Sequence, residues 1–269
     1  MNRQESIVTS RSKGIFSFPN WKKEGDGLLI AAMALRQQWL SNKEEVLRII
    51  TYQSPRSSEV FIKDATLARS SMLLLGYAVE MFLKGGVVKL YFYCPEEMVG
   101  RALREFGHKY ELMAKRLSIP LTADQIEQLR GLSRSVVDEA RYPVTPPLGK
   151  DFFEQANEIN RYNSRQPNFE SLVELVGQLR GFVRKIDSDS CNPASFQHRR
   201  TDWGYVVARR GGNLPPTIVF RRDDQLAEPG VRSAIEATVT LYTDLDSYQI
   251  YEDRGKGKSR RCELWNSKT

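Results

Sequence analysis

The alternation of apolar and polar positions predicts that most of the first two thirds of the chain is helical. The strongest pattern covers residues 60–90, where apolar or small residues recur at three- and four-residue steps. Their stripe is so wide that most of this helix must be buried, and we expect the other elements to pack around it. Glu80 and Lys84 lie four residues apart in the order that favours an ion pair. The stripe consists of Leu67, Ser71, Leu74, Ala78, Met81, Gly85 and Val88.

Weaker stripes of the same period predict further helices on both sides of this segment. Thr122 and Gln125 have the spacing of a capping box, which marks the start of the helix that follows them. Pro95 ends the central helix, because proline cannot continue it. The predicted helices cover about 28–51, as one helix or two, then 60–90, 110–117, 123–140, 152–159 and 172–186, with a connector at 95–107 that has room for a short helix.

The composition changes near Ser188, where strand patterns replace the helical period. Residues 203–208 and 217–220 are typical of two strands around a turn, and residues 231–245 fit a helix or a strand. The predicted fold class is therefore mainly α, a helical bundle with a small C-terminal α+β appendage. The expected divisions are an N-terminal arm at 1–27, the bundle at 28–187, the α+β element at 188–253 and a basic tail at 254–269.

The overall composition is that of an ordinary soluble globular protein. Hydrophobic residues make up 41% of the chain and charged residues 27%. The most apolar stretch, residues 73–88, is interrupted by charges and glycines, so no membrane span is predicted. The N-terminus lacks a signal-peptide pattern. We therefore expect a cytoplasmic protein without a membrane partner.

Cysteine and histidine are too few to predict a metal centre. Cys94, Cys191 and Cys262 are far apart and odd in number, which fits reduced thiols better than a disulfide framework or a zinc site. The only histidines are His108 and His198, and His198 is expected in an exposed linker. Acidic pairs near residues 223 and 244 lack further ligands in register. No cofactor or metal is predicted.

Net charge favours contact with a polyanion. The formal charge is +7, with a sequence pI near 9.3, and basic residues cluster toward both ends of the chain. Each phosphate that a lysine or arginine neutralises adds salt-sensitive affinity for nucleic acid. Solvated ends that keep the protein soluble explain the same clusters equally well.

Three short polar signatures occur in an order that resembles the HEPN superfamily over roughly residues 28–186. They are the central segment Tyr77–Lys84, His108 at the head of a helix, and Arg141-Tyr142-Pro143 at the end of the next one. The resemblance implies an antiparallel helical bundle that dimerises. For many members it also implies metal-independent RNA cleavage in toxin–antitoxin or antiviral defence systems, with an antitoxin or other protein as partner.

The resemblance also assigns roles to individual residues. His108 would act as general acid or base, and Arg101 or Arg141 would balance charge on the phosphate. Glu80, Lys84, Tyr142 and Arg104 would contact the substrate. The spacing from Arg101 to His108, six intervening residues, is the longest that the family motif allows.

The chain departs from the family motif in ways that favour a second hypothesis. Ala102 follows Arg101 where a polar residue is usual, and Gly107 indicates a turn before His108. A branch of the superfamily with a similar histidine and Arg-Tyr-Pro has no established nuclease activity. His108 would then cap its helix or bond to Glu80 or Tyr142, and Arg141-Tyr142-Pro143 would hold the bundle together. The alternative function is a catalytically inactive module that binds a protein or a nucleotide.

Overall fold

The computed structural model describes residues 6–52, 57–139, 151–187, 189–201, 204–222, 235, 248–253 and 260–261. Within these residues the fold is mainly helical, with a small sheet at the C-terminal end, as predicted. The helices are α1 (Phe18–Tyr52), α2 (Ser57–Leu90), α3 (Glu96–Phe106), α4 (Tyr110–Arg116), α5 (Ala123–Arg134), α6 (Phe152–Asn163) and α7 (Gln166–Lys185). The strands are β1 (Ser195–Thr201), β2 (Gly204–Arg210), β3 (Thr217–Arg222), β4 (Gln249–Glu252) and β5 (Arg260–Arg261).

Helices α1 and α2 form a long antiparallel hairpin. Near the open end of the hairpin, Gly25 of α1 lies so close to Phe82 that a β-carbon there would come within 2.8 Å of the ring. Near the turn, Lys43 of α1 pairs with Asp64 of α2 at 3.3 Å. The hairpin therefore brings its two helices together along most of their length.

The start of α1 differs from the prediction. The helix begins at Phe18 and not at Leu28, so part of the predicted arm belongs to the bundle. Two glycines, Gly25 and Gly27, weaken the helical pattern of this segment, because glycine is a poor helix former. Close packing of Gly25 against α2 explains why glycine is suitable there.

Helix α2 is the centre of the hydrophobic core. Ala78, Val79, Leu83, Val87 and Val88 are fully buried, as the wide apolar stripe predicted. By length and composition the segment Ser58–Leu90 is the one described helix that could cross a membrane. However, 72% of its most apolar window is buried inside the protein, as in the core helix of a folded domain.

The other helices cover this hairpin. Helix α5 begins with the predicted capping box, in which the Thr122 side chain accepts from the Gln125 backbone N–H and the Gln125 side chain accepts from the Thr122 backbone N–H. A π-helix, Ser135–Glu139, extends α5 and contributes buried Val136 to the core. The predicted connector at 95–107 contains α3 over most of its length. Helix α7 buries one full face, including Leu172, Leu175, Val176, Leu179 and Val183.

The C-terminal sheet has the strand order β1-β2-β3-β4-β5 in the described residues. Strands β3 and β4 are parallel, and the other neighbours are antiparallel. The two predicted strands are confirmed as β2 and β3, and Gly211 and Gly212 take positive φ in the turn between them. Strand β5 lies in the predicted basic tail. The prediction for residues 231–245 lies outside the described residues, except at Ile235.

Strand β1 was not predicted, because its sequence is almost entirely polar. It places His198 in a strand and not in a linker. The residue is exposed, as expected, and partial desolvation of its ring together with the nearby Arg200 charge lowers the pKa of His198 from its usual range.

The sheet packs directly on the helices. Tyr205, Val207, Val219 and Tyr251 belong to the same hydrophobic core as α2. The Arg116 guanidinium of α4 lies over the Tyr251 ring at 3.9 Å from its centroid. Bundle and sheet therefore share one core.

Candidate functional site

A buried carboxylate on α2 holds the histidine that the sequence singled out. Glu80 is only 4% exposed, and its Oε2 lies 2.7 Å from Nδ1 of His108. Its Oε1 accepts a hydrogen bond from Lys84 Nζ at 2.6 Å, which confirms the predicted ion pair. The Tyr110 hydroxyl donates to Oε2 over a longer distance, 3.5 Å. Glu80 thus joins three polar side chains from two helices and a turn.

These contacts define which nitrogen of His108 carries the proton. Since Lys84 and Tyr110 donate to the Glu80 carboxylate, Glu80 is an acceptor, and Nδ1 of His108 must donate to it. In the neutral imidazole, Nε2 then has a free lone pair. The His108 side chain is 31% exposed. The arrangement therefore combines an oriented ring with a basic nitrogen that is not used by the hydrogen bond to Glu80.

The backbone around His108 fixes the ring in place. Gly107 takes a positive φ of 51° and ends α3, so the chain turns before His108. The carbonyl oxygen of His108 accepts from the Ser133 hydroxyl of α5 at 2.6 Å. The His108 ring packs edge-on against the Tyr77 ring, with centroids 6.5 Å apart. His108 does not cap α4, because the N-cap residue is Lys109, whose side chain makes no capping hydrogen bond. Of the structural contacts predicted for His108, the described residues show the one with Glu80.

Tyr110 contributes a hydroxyl that stays protonated. Burial, together with the negative charge of Glu80, raises the pKa of Tyr110 well above its usual range. The hydroxyl is therefore a hydrogen-bond donor to Glu80 at any physiological pH.

Arg101 lies in a different contact. Its guanidinium pairs with Glu97 on its own helix and with Asp253 next to β4, the latter at 2.7 Å. The other oxygen of Asp253 accepts from the Tyr205 hydroxyl at 2.9 Å. Among the described residues, Arg101 forms its ion pairs with these acidic groups and not with the Glu80–His108 pair. Arg101 and His108, which the motif spacing grouped together, thus bind different acidic side chains.

Some of the other predicted site residues are described by the structure and some are not. Lys84 contacts Glu80, and Arg104 is exposed on α3. Arg141 and Tyr142 lie outside the described residues, so their predicted roles stay predictions.

A cleft of about 520 Å³ lies between α4 and α5, beside the residues that flank His108. On its wall, Arg130 forms two hydrogen bonds of 2.7 Å to Glu111 and a further ion pair with Glu127. This cleft was not predicted, because most of its residues are polar side chains on the outer faces of two helices. Its lining consists of Lys109, Tyr110, Glu111, Leu112, Glu127, Arg130, Ser133 and Arg134.

The described residues offer no ready metal site. Within them, no group of three histidine, cysteine or acidic side chains lies close enough to hold an ion. Cys94 is buried, and burial raises the pKa of its thiol above its usual range, whereas Cys191 is exposed. The Glu80–His108 pair is suited to proton transfer, because an imidazole held by a carboxylate can accept or donate a proton.

Comparisons with family models, with curated proteins and with solved structures found no match to this chain. The geometry of the chain itself is therefore the basis for assigning a function. The feature best suited to chemistry is the partly exposed His108 on the buried Glu80 carboxylate.

Proposed function

We propose that the chain is a HEPN-like helical bundle that cleaves RNA without a metal, with His108 as general acid or base. The observation that carries this proposal is the 2.7 Å contact between His108 Nδ1 and Glu80, which does not use Nε2, on a side chain that is 31% exposed. A carboxylate that orients a histidine and stabilises its protonated form is a common device for proton transfer in enzymes.

RNA suits this chemistry because it carries its own nucleophile. A 2′-hydroxyl adjacent to the scissile phosphate attacks the phosphorus and forms a cyclic phosphate, while the bond to the 5′-oxygen breaks. Nε2 of His108 accepts the proton of the 2′-hydroxyl, or the protonated ring supplies one to the leaving oxygen. Glu80 stabilises the charged ring in either role, since its carboxylate is already in hydrogen-bond contact with Nδ1.

Lys109 and Arg134 are the cations that best fit the role of phosphate ligands in this proposal. Both line the cleft beside His108, whereas Arg101 is held by Glu97 and Asp253. Charge on the phosphoryl oxygens increases in the transition state, and nearby cations stabilise it. We therefore assign Arg101 to the stability of the fold.

The direct test is cleavage of labelled RNA in the presence of EDTA. Wild type is expected to cleave, and His108→Ala is expected to lose about 100-fold or more in rate, the usual contribution of a general acid or base. His198→Ala is the matched control, because it removes the other histidine, on β1, and should leave the rate unchanged. Equal rates for wild type and His108→Ala, with both folded by circular dichroism, would remove His108 from the mechanism.

A catalytically inactive binding module is the second candidate. Two observations favour it. Arg101 forms an ion pair with Asp253 next to the sheet, and Glu80 already accepts hydrogen bonds from Lys84, His108 and Tyr110. In this case the bundle would bind a protein partner or a nucleotide, and neither wild type nor His108→Ala would cleave RNA. A toxin–antitoxin or defence setting is proposed for both candidates, on the resemblance alone.

A further inference from the structure

The outer face of α1 carries an exposed apolar ridge with a seven-residue repeat. Ile30 is 69% exposed, Met33 50%, Leu40 36% and Leu47 64%. Met33, Leu40 and Leu47 are spaced by seven, and Ile30 lies three positions before Met33, as in the apolar positions of a coiled coil. Such regular exposure of large apolar side chains on one helix indicates an interaction surface for another helix.

A row of small residues runs beside this ridge with the same repeat. Gly27, Ala34 and Ser41 are spaced by seven and are all exposed. A β-carbon at Gly27 would meet nothing within 4 Å, so the fold of the single chain does not require glycine there. Small side chains let a second helix approach closely while the ridge fills the space alongside.

The charges at the two ends of this face select an antiparallel partner. Lys23 and Glu44 occupy the same position of the repeat, three heptads apart, and have opposite signs. Both are exposed. In an antiparallel pair of identical helices, each Lys23 lies near the partner's Glu44, whereas a parallel pair places like charges together. Their midpoint falls between Met33 and Ala34, inside the ridge, and this register places Leu40 opposite the partner's Gly27.

We propose that α1 packs antiparallel against α1 of a second copy of this chain, with the two-fold axis near Ala34. A two-fold interface uses the same patch on both molecules. Here the outer face of α1 carries the apolar ridge, the row of small residues, and both Lys23 and Glu44. The contact from Lys23 to Glu44 would extend over about 32 Å at the helical rise of 1.5 Å per residue. This proposal does not depend on RNA cleavage, since the ridge residues are not among the described hydrogen-bond partners of Glu80 and His108.

The test is the molar mass of the full chain by sedimentation velocity at micromolar concentration. Wild type is expected to be a dimer, and Ala34→Glu a monomer, because it places two carboxylates near the axis. Since Ala34 is exposed, this variant should keep the wild-type helical content by circular dichroism. Leu112→Glu is the matched control on an exposed apolar residue of α4, and it should remain dimeric.

Charge reversal then tests the direction of the helices. Lys23→Glu is expected to weaken the dimer at least several-fold, and adding Glu44→Lys to the same chain is expected to restore it. A monomeric wild type, dissociation by Leu112→Glu but not by Ala34→Glu, or no restoration by the double reversal would each overturn the proposal.

Discussion

Glu80 is the residue on which the proposed site depends, because its buried carboxylate receives hydrogen bonds from its own helix, from α4 and from the turn before α4. The ion pair with Lys84 was predictable, since residues four apart on a helix are neighbours. The contact with His108 was one of the predicted alternatives. The contact of Arg101 with Asp253 was not predicted, because Asp253 lies 152 residues away and local spacing carries no information about it.

Arg101 gives a residue-scale prediction about stability. Arg101→Ala removes the cation next to Asp253, which is only 4% exposed, and is expected to lower the free energy of unfolding by about 3 kcal/mol, since a buried charge loses its partner. Arg104→Ala, on the exposed side of the same helix, should change it by less than about 0.5 kcal/mol. Urea denaturation measures both, and equal effects of the two variants would show that the Arg101–Asp253 contact does not stabilise the fold.

At the scale of elements, the sequence predicted well wherever a local pattern determines the structure. The apolar stripe of α2 and the capping box at Thr122 were correct because each depends on residues within one or two helical turns. The start of α1 and strand β1 were missed. Glycine at position 25 is typical of a loop, and only the close contact with Phe82 explains why it occurs within a helix. Strand β1 is polar because it lies at the edge of the sheet.

The contact between α1 and α7 gives a prediction about pH. Asp26 lies 2.6 Å from both Arg180 of α7 and Lys22. Burial alone would raise the pKa of Asp26, but the hydrogen bonds and charges of Arg180 and Lys22 outweigh it, and the pKa is lowered. The resulting stability is present above the unfolded pKa of about 4 and is lost as pH falls through the lower folded pKa.

Asp26→Asn is therefore expected to be less stable than wild type at pH 7, by about 0.5 kcal/mol for a pair so close to solvent. The difference should shrink as pH falls below about 4. Urea denaturation at a series of pH values measures it. Arg180→Gln is the control, because adding it to Asp26→Asn should cost little more than Asp26→Asn alone. A difference that is the same at low pH and at pH 7 would contradict this account.

At the scale of the whole molecule, one core joins the helical bundle to the C-terminal sheet. Tyr205 and Tyr251 are buried with the residues of α2, and Asp253 links the sheet to α3. The sequence predicted a mainly helical chain with a small C-terminal appendage, but not that the appendage packs into the same core. The reason is that the contact joins segments about 150 residues apart, which no local pattern reports.

The most direct test of the central claim is the protonation pattern of the His108 ring, measured by long-range proton–nitrogen NMR with His108→Gln to assign the signals. The chain has only two histidines, so the spectrum is simple. Because Glu80 accepts from Nδ1, the neutral ring is expected to carry its proton on Nδ1 and a lone pair on Nε2. A neutral ring with its proton on Nε2 would contradict both the Glu80 contact and the role of His108 as a base.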